Sequence, residues 1–202
     1  RDAHPYGTLS FEDVIVHSSN IGTAKAAERI GARELYRYSV RFGFGNLSCV
    51  EFPGEASGVL RPYDQWRDIG RANVAIGQGV SVTMLQMGLA YSAIANDGIL
   101  MEPRLILDMT DVSGAHHANP PREVRRVIEP ETARTLQRIL EEVVNRGTGK
   151  SAAIDCLQVA GKTGTAQIPN LEIGGYYQNR YVASFVGFLP TYAAERVLVV
   201  TV

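Results

Sequence analysis

Two short segments of the chain carry residue types that acyl transfer needs. Ser18-Ser19-Asn20 places hydroxyls and a carboxamide at a break between two predicted helices, and Gly161-Lys162-Thr163-Gly164-Thr165 places a cation and hydroxyls on a predicted strand. Acyl transfer from a peptide requires a nucleophile, a proton route to the leaving nitrogen, and donors for the oxyanion. Taken singly, the first segment is an ordinary helix cap, and the second is an edge strand with a solvated lysine.

Further short motifs surround these two segments, which lie about 140 residues apart. Ile76-Gly77-Gln78-Gly79 and Ala95-Asn96-Asp97-Gly98 lie between them, Gly147-Thr148-Gly149-Lys150 precedes the second, and the sequence SFVGFLP follows it. In this order the sequence resembles the transpeptidase domain of class B penicillin-binding proteins. The pieces AGKTGTAQ and SFVGFLP look most like the cell-division (septal) branch, with sporulation relatives close behind. The resemblance covers nearly the whole chain, from about residue 7 to residue 202.

The resemblance implies an α+β fold of the β-lactamase/transpeptidase type, an antiparallel sheet packed with helices. It implies D-Ala-D-Ala transpeptidation, which cross-links peptidoglycan stem peptides through an acyl-enzyme and is blocked by β-lactam antibiotics. It also implies an extracytoplasmic location behind an upstream membrane anchor, division-complex partners that include a glycan polymerase, and no metal or organic cofactor.

Three catalytic roles follow from the resemblance. Ser18 would relay a proton between the lysine of the nucleophile motif and the leaving amine. Asn20 would hold both the substrate carbonyl and that lysine. Lys162 would supply a positive charge beside Ser18 and toward the terminal carboxylate of the substrate.

Three substrate-binding roles also follow. The Thr163 hydroxyl would bind the substrate carboxylate, Gly164 would leave room for a close approach, and the Thr165 N–H would be one oxyanion donor. An acyl peptide could add to this strand edge as an extra strand.

The nucleophile motif of the resembled family, Ser-x-x-Lys, does not occur in these 202 residues. None of the eleven serines has a lysine three positions later. The resemblance places that motif upstream of Arg1, and the chain stops within a predicted strand after Arg196. We therefore expect a fragment that lacks N-terminal strands, the nucleophile helix and a C-terminal helix, and that is inactive alone.

Two other functions remain open at this point. A D,D-carboxypeptidase or serine β-lactamase of the same superfamily would release free D-Ala or hydrolyse the antibiotic without cross-linking. A non-catalytic penicillin sensor or interaction module would lack Ser-x-x-Lys in the full gene product.

Composition excludes several other classes. The 45% hydrophobic and 20% charged residues are ordinary for a folded domain, and the net charge of -1 gives no basic field for nucleic acid.

Other single features have ordinary explanations. The two Gly-Lys-Ser/Thr triplets, at residues 149–151 and 161–163, both lack the glycine that a phosphate loop has five positions earlier. Cys49 and Cys156 are expected to be packed small apolar residues, and His116-His117 to lie in a solvated loop.

Periodicity and caps predict the elements that position these segments in a single domain, residues 1–202. The helical part spans about residues 8–98 and the sheet part about 103–202, with residues 43–70 irregular and 111–122 and 168–180 as linkers. Predicted helices cover Phe11 to Val16, Ile21 to Ile30, a stretch with Leu35, Tyr38 and Phe42, Thr83 to Asn96, and Pro130 to Asn145. Predicted strands cover Leu105 to Leu107, Val124 to Ile128, Gln158 to Ile168, Tyr181 to Leu189, and Arg196 onward.

Overall fold

The computed structural model describes residues 2, 4–66, 68–170 and 174–202. Within these ranges helices come first, two short two-stranded sheets and a long helix follow, and a three-stranded sheet comes last. The elements are α1 (Phe11–Val16), α2 (Asn20–Ile30), α3 (Ala32–Arg41), α4 (Asp68–Ala75), α5 (Met84–Ala95), β1 (Ile99–Met101), β2 (Asp108–Thr110), β3 (His116–Ala118), β4 (Glu123–Arg126), α6 (Pro130–Asn145), β5 (Ala160–Pro169), β6 (Tyr176–Leu189) and β7 (Arg196–Thr201). The predicted α+β class is confirmed.

Helix starts follow the caps that the sequence predicts. The Ser10 hydroxyl accepts the N–H of Asp13 at the start of α1. At α5 both halves of the capping box form, because Thr83 accepts from Gln86 and the Gln86 side chain accepts from the Thr83 N–H. These caps satisfy N–H groups that have no partner inside the helix.

One prediction in the middle of the chain is wrong, and one helix was not predicted. The stretch expected to be irregular, residues 43–70, has no α-helix or strand over residues 43–66, but helix α4 begins at Asp68 and packs on α2; tertiary contact of this kind stabilises helices too short to form alone. Residues 105–107 are exposed and form no strand. The strand pair forms later, at β2 and β3, because the Asp111 carboxylate accepts the N–H groups of Ser113 and Ala115 and closes a hairpin within the expected linker.

The C-terminal sheet has the antiparallel order β5-β6-β7, so β5 is an edge strand of this sheet. Its register pairs Lys162 with Val186 and Gly164 with Ser184. Helix α6 packs on β5, and Leu140, Ala160 and Phe188 form a buried cluster beneath it. Strands β5 and β6 extend into the second expected linker, whose residues 171–173 lie outside the described residues.

Helices α1 and α6 are held together by an apolar cluster and by ion pairs at its rim. Val16 packs on Ile139 and Val143. Arg138 binds the Glu12 carboxylate at 2.9 Å, and Arg146 binds the Asp13 carboxylate at 2.8 Å. These contacts set the place of the α1 C-terminus, from which Ser18 follows.

The expectations for cysteine and histidine need correction. Cys49 and Cys156 are exposed rather than packed; both lie in loops outside the helices and strands, and loops run over the protein surface. His116 and His117 are exposed, but on strand β3 rather than in a loop. Across the residues described, the helices are all too short or too polar to span a bilayer.

Candidate active site

Ser18 occupies the turn between α1 and α2 in a strained backbone conformation. Its φ is 55°, in the left-handed region that non-glycine residues rarely adopt. The N–H groups of Ser18 and Ser19 bond to the carbonyls of Ile15 and Val14, which ends α1. The Ser18 side chain is exposed as a result, and strain of this kind is concentrated at functional sites.

Ser19, next in the chain, is the structural cap. It is 3% exposed, accepts the N–H of Gly22 at 3.0 Å, and donates to the Asp2 carboxylate at 2.7 Å. Burial raises the pKa of Asp2, but the bonds from the Ile21 N–H and the Ser19 hydroxyl outweigh it and leave the pKa lowered. The cap interpretation therefore applies to Ser19, whereas Asn20 begins α2 and is half-buried.

Lys162 lies on β5 in a half-buried position. Burial lowers the pKa of its ammonium group to about 8, because a charged group loses solvation there. The ammonium donates to the Thr163 carbonyl at 3.1 Å. At neutral pH the side chain is still mainly cationic, but far less completely than a solvated lysine.

Thr148 connects the two segments that the sequence singles out. The Thr163 hydroxyl donates to the Thr148 hydroxyl at 2.8 Å. The Thr148 N–H donates to the Val16 carbonyl at 3.3 Å, two residues before Ser18. A side chain on Gly147 would collide with that same carbonyl oxygen. The α1 end and the Lys162-Thr163 strand therefore meet at residues 147–148.

The remaining predicted residues follow on the same strand. A β-carbon on Gly164 would lie 2.6 Å from the Ser184 hydroxyl, so glycine permits the close pairing of β5 with β6. Thr165 is exposed and pairs with Ala183.

That the Ser18 and Asn20 side chains lie within hydrogen-bonding distance of Lys162 stays a prediction. Sequence reasoning did not assign a role to Thr148, although Gly147-Thr148-Gly149-Lys150 was among the motifs.

Comparisons with known proteins identify the family. Residues 1–202 match the family described as "Penicillin binding protein transpeptidase domain". Penicillin-binding protein PbpB of Mycolicibacterium smegmatis is 42% identical over 199 residues, which are 94% of this chain and 31% of that protein. The probable peptidoglycan D,D-transpeptidase PenA of Neisseria meningitidis is 34% identical over 203 residues, 100% of this chain and 33% of that protein.

Solved structures are also similar. Penicillin-binding protein 3 of Mycobacterium tuberculosis complexed with ampicillin superposes with a TM-score of 0.94 at 36% identity, covering 100% of this chain and 46% of that one. The structure complexed with aztreonam gives a TM-score of 0.93 at 37% identity, covering 99% of this chain and 47% of that one. The chain spans about a third of the length of the curated relatives given above.

A helical part packed on an antiparallel sheet, with Lys-Thr-Gly on the edge strand and Ser-x-Asn between helices, matches two of the three motifs of the penicillin-interacting class of proteins. Within that class, this chain belongs to the transpeptidase domain family of class B penicillin-binding proteins.

Proposed function

We propose that the full-length protein carrying this domain is a peptidoglycan D,D-transpeptidase. It cross-links stem peptides through an acyl-enzyme formed at D-Ala-D-Ala, and β-lactams acylate it in place of the substrate. One observation carries the proposal: Lys162-Thr163-Gly164 lies on the edge strand β5, joined through Thr148 to the end of α1 that leads into Ser18.

Among the described residues β5 pairs with a strand on one side only, and its other edge suits an extended peptide. A donor peptide would add to this edge by main-chain hydrogen bonds, with its terminal carboxylate near the Thr163 hydroxyl and the Lys162 ammonium. A cation in a half-buried place attracts a carboxylate more strongly than one in bulk water. The Thr165 N–H would then serve as a donor to the oxyanion.

Ser18 and Asn20 would act on the proton and the amide. The exposed Ser18 hydroxyl would carry a proton from the base to the leaving amine, and Asn20 would orient the scissile amide and the base. The strained turn at Ser18 supports this assignment, since a left-handed serine persists only where the surrounding structure imposes it.

The nucleophile in this proposal is a serine of a Ser-x-x-Lys motif that lies outside these 202 residues. The sequence contains no such motif, and the match covers only about a third of the curated relatives. The proposal places the domain on the extracytoplasmic side of the membrane, in the septal branch, with a glycan polymerase among its partners.

The alternatives are not favoured. The curated relatives are named penicillin-binding proteins and peptidoglycan D,D-transpeptidases rather than β-lactamases. A D,D-carboxypeptidase would release free D-Ala from a stem-peptide substrate without forming cross-linked dimers, and a non-catalytic module would form neither product. Analysis of the products of the full-length protein separates the three possibilities.

The test compares two lysines in the full-length protein. Lys162→Ala should sharply reduce the second-order rate constant of acylation by fluorescent penicillin, because it removes the cation from the site. Lys150→Ala, an exposed position beginning the short 3₁₀ turn Lys150–Ala152, should leave that constant unchanged. Equal constants for wild type and Lys162→Ala would contradict the assignment of the strand.

A further inference from the structure

We propose that Thr148 is a positioning residue for carboxylate recognition. Its hydroxyl holds the Thr163 hydroxyl in place, and its main chain ties that strand to the segment before Ser18. The inference rests on the proposed function, because it concerns how the same site recognises the terminal carboxylate of a stem peptide or β-lactam.

The first step is the geometry of the two hydroxyls. Their oxygens lie 2.8 Å apart, a usual distance for an O–H···O bond. A threonine side chain can adopt more than one χ1 rotamer, so Thr163 alone would not keep a single direction. The bond to Thr148 selects one Thr163 rotamer. The entropic cost of ordering the Thr163 side chain is therefore not added to the free energy of binding the carboxylate.

The second step is the reversibility of that bond. Each hydroxyl has one hydrogen and two acceptor lone pairs, and the hydrogen rotates to suit its partner. When a carboxylate lies beside Thr163, Thr163 donates to the carboxylate and Thr148 donates to Thr163. The oxygen positions do not change, and the donated hydrogen strengthens the bond to the anion, since chains of hydrogen bonds polarise one another.

The third step is the rigidity of Thr148 itself. It follows the end of α6, where Gly147 and Gly149 donate their N–H groups to the Val143 carbonyl at 3.1 and 2.9 Å. Its own N–H bonds to Val16, a residue with no exposed surface in the α1–α6 core. The Thr148 side chain is exposed, but its main chain is fixed to both helices, which places the hydroxyl beside Thr163.

The test uses two ligands that differ only at the carboxylate. In the full-length protein, Thr148→Val keeps the shape of the side chain and removes the hydroxyl. It should lower the acylation rate constant for benzylpenicillin by up to about tenfold, the upper end expected for a hydrogen bond between two neutral groups, and change that for the penicillin methyl ester much less. The ratio of the two constants, acid over ester, should fall. Thr148→Ser should restore it, because serine retains the hydroxyl.

The matched control is Thr135→Val, the same change at an exposed threonine of α6 whose hydroxyl bonds only to the Glu131 carbonyl among the contacts described. It should keep the wild-type ratio. If thermal unfolding shows that Thr148→Val does not fold, Thr148→Ala replaces it. The ratio of the acid and ester rate constants should then fall in Thr148→Ala and stay near the wild-type value in Thr148→Ser.

The outcomes separate the two proposals. If wild type is acylated and Thr148→Val retains the wild-type ratio, or if Thr148→Ser is as impaired as Thr148→Val, the inference is overturned and the proposed function stands. If wild type is acylated by neither compound, the proposed function is overturned and the role of Thr148 with it.

Discussion

The hydroxyl of Ser19 donates to the carboxylate of Asp2 at 2.7 Å, and the same carboxylate accepts the N–H of Ile21 at 3.0 Å. Residue 2 thus completes the cap at the start of α2, seventeen positions away from the serine that it binds. Because Ser19 serves the helix, the neighbouring Ser18 is left exposed in the turn. Of these two adjacent serines, Ser19 therefore has a structural role and Ser18 is the candidate catalytic residue.

The strain at Ser18 leads to the first prediction. Ser18→Gly and Ser18→Ala both remove the hydroxyl, so both should abolish acylation of the full-length protein by penicillin. They should differ in stability: the glycine variant should be more stable than the alanine variant by about 1 kcal/mol, since only glycine adopts a positive φ without a steric penalty. Urea unfolding measures the difference, and an alanine variant as stable as the glycine variant would contradict the assigned backbone conformation.

The lowered pKa of Lys162 leads to the second prediction. Below about pH 8 the ammonium is charged and can attract a carboxylate; above it the proton is lost. The acylation rate constant for penicillin should therefore fall as the pH rises through about 8. Lys162→Arg should react more slowly but lack this decline, because a guanidinium stays charged. The same decline in the arginine variant would assign the titration to another group.

The shift also affects stability in a defined direction. In the unfolded chain Lys162 keeps its ordinary pKa of 10.5, so between about pH 8 and 10.5 the unfolded state binds more protons than the folded state. The contribution of Lys162 to the free energy of unfolding should then become more favourable as the pH rises through this window. Comparison with Lys162→Met in urea unfolding at pH 7.5 and 10 isolates that contribution.

The buried amide of Gln86 leads to a further prediction. Gln86 is 1% exposed, and its amide donates to the carbonyls of Asn46 and Ser57, both at 2.8 Å, while its oxygen accepts the N–H of Thr83. Gln86→Leu leaves these groups without their partner and should lower the free energy of unfolding by about 2 kcal/mol. Gln137→Leu, which loses one bond to the Ile94 carbonyl, should cost about 1 kcal/mol. Equal costs would show that the amide contacts of Gln86 contribute little.

The 202-residue chain by itself should form no covalent adduct with penicillin. It contains no Ser-x-x-Lys, and Ser18 would have to act without the family's nucleophile motif. The pKa of Lys162 leaves only about a tenth of it neutral at pH 7, too little to make it an efficient base for Ser18. Fluorescent penicillin and denaturing electrophoresis provide the measurement. A labelled band at the mass of this chain would show that the nucleophile lies within it.

Much of the fold could be predicted from local sequence. Pro130 begins α6 and Asn145 ends it as expected, and the capping box at Thr83 marks the start of α5. These signals depend on residues within four positions of one another, which is the range over which caps and helical periodicity act. Contacts over longer distances decide elsewhere: local sequence missed α4, which packs on α2, and wrongly predicted a strand at residues 105–107, which pair with no strand among the described residues.

The same division applies to the candidate site. The sequence by itself determined which residue types are present, in what order, and on which elements: the serines of the α1–α2 turn and the lysine of β5. Only the tertiary structure decided that Asp2 binds the Ser19 cap, that burial lowers the pKa of Lys162 to about 8, and that Thr148 lies between Val16 and Thr163. Desolvation and hydrogen bonding depend on which groups the folded chain brings together, and segments more than a hundred residues apart carry no local signal of their meeting.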